Sequence, residues 1–294
     1  MKKKTLDTLV QDIYDKLDTL TEGKSLNVSE ETADAFGEAM KKALLHWSAE
    51  HPVDKPTLRM SNVGKPNRQL WYDMKAENKK NNFTAPVQLR FLYGHILEEV
   101  VLFLARLAGH EVTDEQKEIT VSGIKGHMDC KIDGEVIDIK SASGYAFQKF
   151  KNGTLAEDDV FGYMAQLAGY EKAEKSTGGG FLAINKENGE LALFKPQELD
   201  KPNITAKIKK VKSEIKDSTP PDFCYQPIPD GASGNMKLPR MCGYCPHKFE
   251  CHKDANDGKG LRVFEYSKGL TYLTTTVKEP KVNEITTRFI NAKN

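Results

Sequence analysis

The chain has 294 residues, 38% of them apolar and 29% charged, and its 43 Lys and Arg against 42 Asp and Glu leave a formal charge of +1. That is an ordinary globular composition, enough for one large domain or a domain with appendages, and it excludes overall basicity as a reason to bind nucleic acid. Val100 to Ala108, the best apolar run, is short and broken by Arg106, so no bilayer span is expected, and MKKKTLDTLV lacks the apolar core of a secretory signal. The expected location is the cytoplasm, that of the host if the chain is phage-encoded.

Residues 5–50 read as helical. Leu6, Leu9, Val10, Ile13, Tyr14 and Leu17 repeat every 3.6 residues, and Ser29 is placed to cap a helix running to about His46. The prolines and glycine between His51 and Arg68 predict a loop. From Val87 to Ala108 the pattern is helical, with Leu89, Tyr93, Ile96, Leu97, Val100, Val101, Leu104 and Leu107 on one face and Gly109 as the stop. Strand-like segments follow at 117–124, 125–132 and 135–141, then a helix at 158–173. Phe181 to Asn185 reads as a buried strand paired with Leu191 to Lys195. A last helix at 201–216 has the stripe Ile204, Ile208, Val211 and Ile215, with Lys207, Lys209, Lys210, Lys212 and Lys216 elsewhere, as a solvated face or a DNA-contacting one. Residues 217–260 are rich in Pro, Gly and Cys, and strand-like pieces resume at Leu261.

The chemistry is concentrated in GHMDCKIDGEVIDIKSAS, residues 126–143. Asp133-Gly134 signals a two-residue type I′ hairpin. With that turn Ile132 opposes Glu135, Lys131 opposes Val136, Asp129 opposes Asp138 and His127 opposes Lys140. Opposed side chains have Cβ atoms about 5 Å apart, so two carboxylates there repel unless a cation lies between them. Lys140 shares the face of Asp138, while Ile137 and Ile139 point to the other side. Two acids and a lysine at one point suit phosphodiester hydrolysis assisted by Mg²⁺ or Mn²⁺.

Asp129 followed by Asp138-Ile139-Lys140 resembles the signature of the PD-(D/E)XK nucleases. Gly94-His95-Ile96-Leu97-Glu98 and Gln166-Leu167-Ala168-Gly169-Tyr170 are similar to two further motifs of their RecB/lambda-exonuclease branch, over roughly residues 57–195. The resemblance implies that Glu98, Asp129, Asp138 and the carbonyl of Ile139 bind the metal. It implies that Lys140 is the catalytic lysine and that Gln166 and Tyr170 position the site and contact DNA. Tyr163 shares their helical face and reads as packing. Glu99 rivals Glu98, with Gly94 one turn earlier favouring the latter. His95 reads as structural or as support for the site. Arg59, Lys65 and Arg68, in a segment similar to the lead-in of this branch, are either phosphate contacts or an ordinary basic loop.

Of five cysteines, Cys242, Cys245 and Cys251 fall within ten residues, a spacing that points to metal more than to disulfides in a reducing compartment. They resemble the end of the iron–sulfur module of some RecB-type nucleases. The module's upstream cysteine is missing near Asn67, and Cys224 is the replacement fourth thiolate. The expected occupant is a [4Fe–4S] cluster or Zn²⁺, with His247 and His252 as further ligands favouring zinc. Cys130 alternates away from Asp129 and should face the core.

The expected architecture is α/β: a restriction-endonuclease-like core, with a mixed central sheet flanked by helices, plus N-terminal helices and a Cys-rich C-terminal segment. The expected divisions are 1–56 (helical), 57–216 (nuclease core), 217–260 (cysteine segment) and 261–294 (strand-like tail). The expected activity is metal-dependent DNA exonuclease hydrolysis in phage recombination or genome processing, with DNA and a single-strand-binding or recombination protein as partners. The alternatives are a structure-specific, junction-resolvase-like endonuclease and a silent DNA-binding accessory module.

Overall fold

The computed structural model describes residues 4–49, 56–75 and 84–290. The first part of the expected His51–Arg68 loop, with Pro52, lies outside them. In chain order the helices and strands are α1 (Leu9–Thr21), α2 (Glu30–Ser48), α3 (Asn67–Lys75), α4 (Ala85–Leu107), β1 (Val112–Thr113), β2 (Lys117–Val121), β3 (Ile124–Met128), β4 (Cys130–Ile132) and β5 (Glu135–Ala142). Then come α5 (Gly144–Lys151), α6 (Tyr163–Glu174), β6 (Gly180–Asn185), β7 (Leu191–Phe194) and α7 (Ile204–Glu214). The rest are β8 (Ile228–Pro229), β9 (Met236–Lys237), α8 (Arg240–Tyr244), α9 (Lys248–Cys251), α10 (Ala255–Gly258), β10 (Arg262–Tyr266), β11 (Gly269–Thr275) and α11 (Thr286–Ile290). No described helix is long and apolar enough to cross a membrane.

The chain divides into two compact units, Met1–Lys65 with Ala76–Ser213, and Pro66–Lys75 with Glu214–Asn294. The first is built on a mixed sheet ordered β1-β4-β5-β6-β7, antiparallel except for β5 beside β6. The expected class, α/β with a mixed central sheet flanked by helices, is the one found. Strand alternation divides β5 between two cores. Ile137 and Ile139 join Leu9, Ile13, Val101 and Leu102 on the side of α1 and α4. Val136 and Ala142 join Phe147, Tyr170 and Phe181 on the side of α5 and α6. Asp138 and Lys140 therefore stand on the α6 side of the sheet.

Local chemistry explains the element ends. The Ser29 side chain accepts from the Thr32 amide at 3.2 Å, capping α2 as expected. Gly109, at φ +86°, ends α4 in the left-handed conformation, and the next amide, His110, returns to Ala105 O at 3.0 Å. Asp133 and Gly134 both have positive φ, +52° and +88°, as a type I′ turn requires. α6 starts at Tyr163 rather than at 158. The Asp159 carboxylate accepts from the amides of Gly162, Tyr163 and Met164 at 2.8–2.9 Å, so the preceding residues form the cap and not the helix.

Two expectations need correction. The apolar face of α4 is as expected only in its second half: Val101 is buried and Leu97 and Leu104 pack against the core, joined by Leu102 and Ala105, whereas Leu89 and Tyr93 are 45% and 47% exposed. α2 lies along α4 at both ends, through the Trp47 indole donating to Gln88 O and Phe36 on Phe103. The strands before the hairpin are also not continuous. β3 pairs with β2 in a separate two-stranded sheet that places His127 opposite Glu118, so the expected His127–Lys140 pair is not formed.

The second unit carries an antiparallel sheet ordered β10-β11-β9-β8, which realises the strand-like pieces expected after Leu261. α3, which the sequence reading did not anticipate, belongs to this unit.

Candidate active site

The hairpin ladder runs Ile132–Glu135, Lys131–Val136 and Cys130–Ile137, as the turn dictates, and stops there. Asp129 is the single residue between β3 and β4, where the chain passes from one sheet to the other. It is therefore not a ladder partner of Asp138. Its Oδ2 accepts instead from the Ile139 amide at 2.8 Å, which turns the carboxyl back over β5. Cys130 is buried, its thiol 3.8 Å from Ile137 O, on the opposite side as expected.

Asp138 is fully buried. Lys140 Nζ lies 2.5 Å from its Oδ2, but off the hydrogen-bonding direction, so neither carboxylate oxygen has an aligned donor. A buried carboxylate left this way is costly unless another positive group satisfies it. Burial raises the Asp138 carboxyl, against the opposing pull of Lys140. Burial, then the charge of Asp138, pushes Asp129 well above the usual carboxylate range. The ammonium of Lys140 loses solvation, yet Asp138 and Asp129 outweigh that loss and hold it above the ordinary lysine range.

Glu98 lies one turn before Leu102 and two turns before Ala105, on the face of α4 that is buried, and Gly94 on the same face brings the helix backbone near Ser141 of β5. Its Oε1 accepts from Gln116 Nε2 at 2.7 Å. Burial, then Glu99 and Asp138, pushes Glu98 up to about 7. Glu99 is raised by burial and by Glu115, against the opposing pull of Arg106 and Lys42. Of the two glutamates, Glu98 is the one in the field of Asp138 and Lys140. His95 meets His46 edge-on at 5.7 Å, a helix-pairing contact.

Because the folded Glu98 keeps a proton that an unfolded glutamate releases, its contribution to stability is intact below about pH 4.5 and falls as pH rises toward 7. Glu98→Gln is expected to stabilise the metal-free protein at pH 8 by ~1–3 kcal/mol and to change little at pH 4.5. Urea unfolding in EDTA at the two pH values checks this; a loss of stability at pH 8 would refute it.

Gln166 Nε2 donates to the Tyr170 hydroxyl at 2.7 Å, and the two side chains are 8% and 1% exposed. Buried in this way they offer little surface for the DNA contact that was expected of them. Tyr163 does more than pack, since Lys140 Nζ lies 4.8 Å from its ring centre. Gln116 and Asp159 were not found in the sequence, where nothing but an ordinary turn marks them. Among the basic candidates, Arg59 is exposed and Lys65 half-buried.

In the second unit Arg68 is already engaged. It donates to Pro221 O and to Cys251 Sγ, and its guanidinium lies 4.3 Å from the Phe223 ring centre, so its expected phosphate contact is replaced by an internal one. Asn67 donates to Glu214 at 2.5 Å, and His247 pairs with Asp73 at 2.6 Å. His252 stacks on Phe223. Cys224, Cys242, Cys245 and Cys251 are free thiols, and Cys242 lies in the field of the other three. Burial, then Cys245, Cys224 and Cys251, pushes Cys242 up to about 12. Among the described residues, no group of three or more His, Cys, Asp or Glu side chains is placed so that it could hold a metal ion.

No family model and no curated protein matches the sequence. Among solved structures, the crystal structure of SSO0001 is similar at 17% identity over 72% of this chain and 92% of that one, with a TM-score of 0.37. An alkaline exonuclease (LHK-Exo) from Laribacter hongkongensis is similar at 16% identity over 53% of this chain and 91% of that one, TM-score 0.32. Its complex with dAMP gives 14%, 53%, 92% and 0.31. The chemistry of the site rests on its own residues.

Proposed function

We propose that this chain is a DNA nuclease that uses Mg²⁺ or Mn²⁺ to hydrolyse phosphodiester bonds. The observation that carries the reading is Asp138: a fully buried carboxylate with no aligned donor, facing Lys140 and sharing its field with Asp129 and Glu98. Oxygen donors of this kind suit a hard divalent cation, and buried acids that hold protons without one shed them when it binds. Glu98, Asp129, Asp138 and the carbonyl of Ile139 would hold the ion.

Bound there, the cation would supply an acidified water and positive charge for the phosphate. Lys140 keeps its proton, so it serves to fix the attacking water and to stabilise charge on the phosphate rather than to accept a proton. Asp129 and Asp138 hold that ammonium from the sheet, and the Tyr163 ring holds it from α6. The Gln166–Tyr170 hydrogen bond, within α6, holds those two buried side chains in place relative to each other. The finer reading is exonucleolytic cleavage of linear DNA, in phage recombination or genome processing.

Digestion of end-labelled linear and covalently closed circular DNA with Mg²⁺, Mn²⁺ or EDTA tests this. Linear DNA is expected to shorten from its ends with either metal and to survive in EDTA, and circles are expected to stay intact. Nicked circles would favour the endonuclease. Cleavage in EDTA would remove the metal, and no cleavage of any DNA would leave the accessory module.

We read Cys224, Cys242, Cys245 and Cys251 as ligands of a structural Zn²⁺ or [4Fe–4S] group, which would staple a loop-rich segment. A visible spectrum of anaerobically purified protein, with metal analysis, distinguishes cluster from zinc; absence of both metals would refute the reading.

A further inference from the structure

We propose that Phe161 is a stacking platform for an unpaired nucleobase on a strand whose phosphate lies at Asp138 and Lys140; this rests on the nuclease reading above. Phe161 is 54% exposed, although one face of its ring is stacked on Tyr163 at 5.5 Å and 29°. The same Tyr163 ring receives Lys140 Nζ at 4.8 Å, and Lys140 Nζ is 2.5 Å from Asp138. Two ring contacts thus lead from the buried acid to an aromatic face in solvent.

The platform is fixed in place. Asp159 binds the amides of Gly162, Tyr163 and Met164, which locks the turn that carries Phe161. Gly162, at φ +80°, crosses Gly64 so closely that a Cβ on either would lie 2.2 Å from backbone of the other. Lys149 of α5 donates to Asp158 O at 2.9 Å, tying the turn to a second exposed ring, Tyr145, whose centre is 5.5 Å from the same Nζ. A rigid exposed ring beside basic groups is how single strands are held without sequence preference, since every base has a π-face. A base inside a duplex already has stacking partners, so the geometry selects frayed ends or single strands as the substrate class.

The test measures binding of fluorescein-labelled single-stranded oligodeoxynucleotides by the full chain in EDTA, where nothing is cleaved. A series carries one abasic site stepped along the strand. Phe161→Ala is expected to weaken binding of the intact strand roughly tenfold, the size of one lost base stack, with Phe161→Trp restoring it and Phe161→Leu not. One abasic position is expected to cost the wild type the same factor and to cost Phe161→Ala nothing further. Wild-type affinity in Phe161→Ala, equal abasic penalties in both proteins, or no single-strand binding by the wild type would each overturn the platform. Coupling between Phe161 and one base without cleavage of any DNA would sink the nuclease reading alone, and cleavage without coupling would sink the platform alone.

Discussion

Asp138→Ala is expected to lower DNA cleavage by about 10³-fold or more while leaving DNA affinity within a few-fold of wild type. Asp138 is the innermost of the acids, and its removal takes away the partner that holds Lys140 and, on the proposed reading, an oxygen donor to the cation. Lys140→Ala should lose about 10²–10³-fold in kcat with little change in KM, because the ammonium acts on charge that develops only during reaction. Single-turnover cleavage of end-labelled DNA under saturating Mg²⁺, with affinity measured separately in EDTA, separates the two effects. A variant lacking the Asp138 carboxylate that cleaves at the wild-type rate would remove the assignment.

The largest stability effect is expected at Lys201. Its ammonium is buried against Glu171 at 2.7 and 2.9 Å and also donates to Thr177 O. Glu171, on α6 one residue beyond Tyr170, is 4% exposed and accepts from the Gly179 amide at the start of β6. Lys201→Ala leaves that carboxylate buried without its cation and should cost about 3–5 kcal/mol. Replacing both charges together, as Glu171→Gln with Lys201→Met, should recover much of the loss, because the penalty belongs to the uncompensated charge. Equilibrium urea unfolding of the single and double variants measures it. A cost below about 1 kcal/mol for Lys201→Ala would show the pair to be incidental.

Much of the site's surroundings was legible because the signals are local. The Asp133-Gly134 turn sets the hairpin register by itself, and strand alternation then separates Asp138 and Lys140 from Ile137 and Ile139. Ser29 as a cap and Gly109 as a stop are equally local, each satisfying backbone groups within a few residues. Where the reading failed, a distant partner decided the outcome. Leu89 and Tyr93 fit the helical period but stay largely exposed, on the half of α4 whose Gln88 carbonyl receives the Trp47 indole of α2. Arg68 looks like any loop arginine until Phe223, Pro221 and Cys251, some 150 residues later, enclose it.

By itself, then, the sequence determined which residue types face one another across the hairpin and on which side of the sheet each lies, because turn type and period-two alternation act over a few bonds. Only the tertiary structure decided that β3 leaves the ladder at Asp129, that Glu98 rather than Glu99 shares the field of Asp138, and that the ring of Tyr163 receives Lys140. Those outcomes depend on helices and strands far apart in the chain packing on the two faces of β5. No local rule carries that information, because the free energy that selects the packing comes from burying surfaces that meet only in the folded protein.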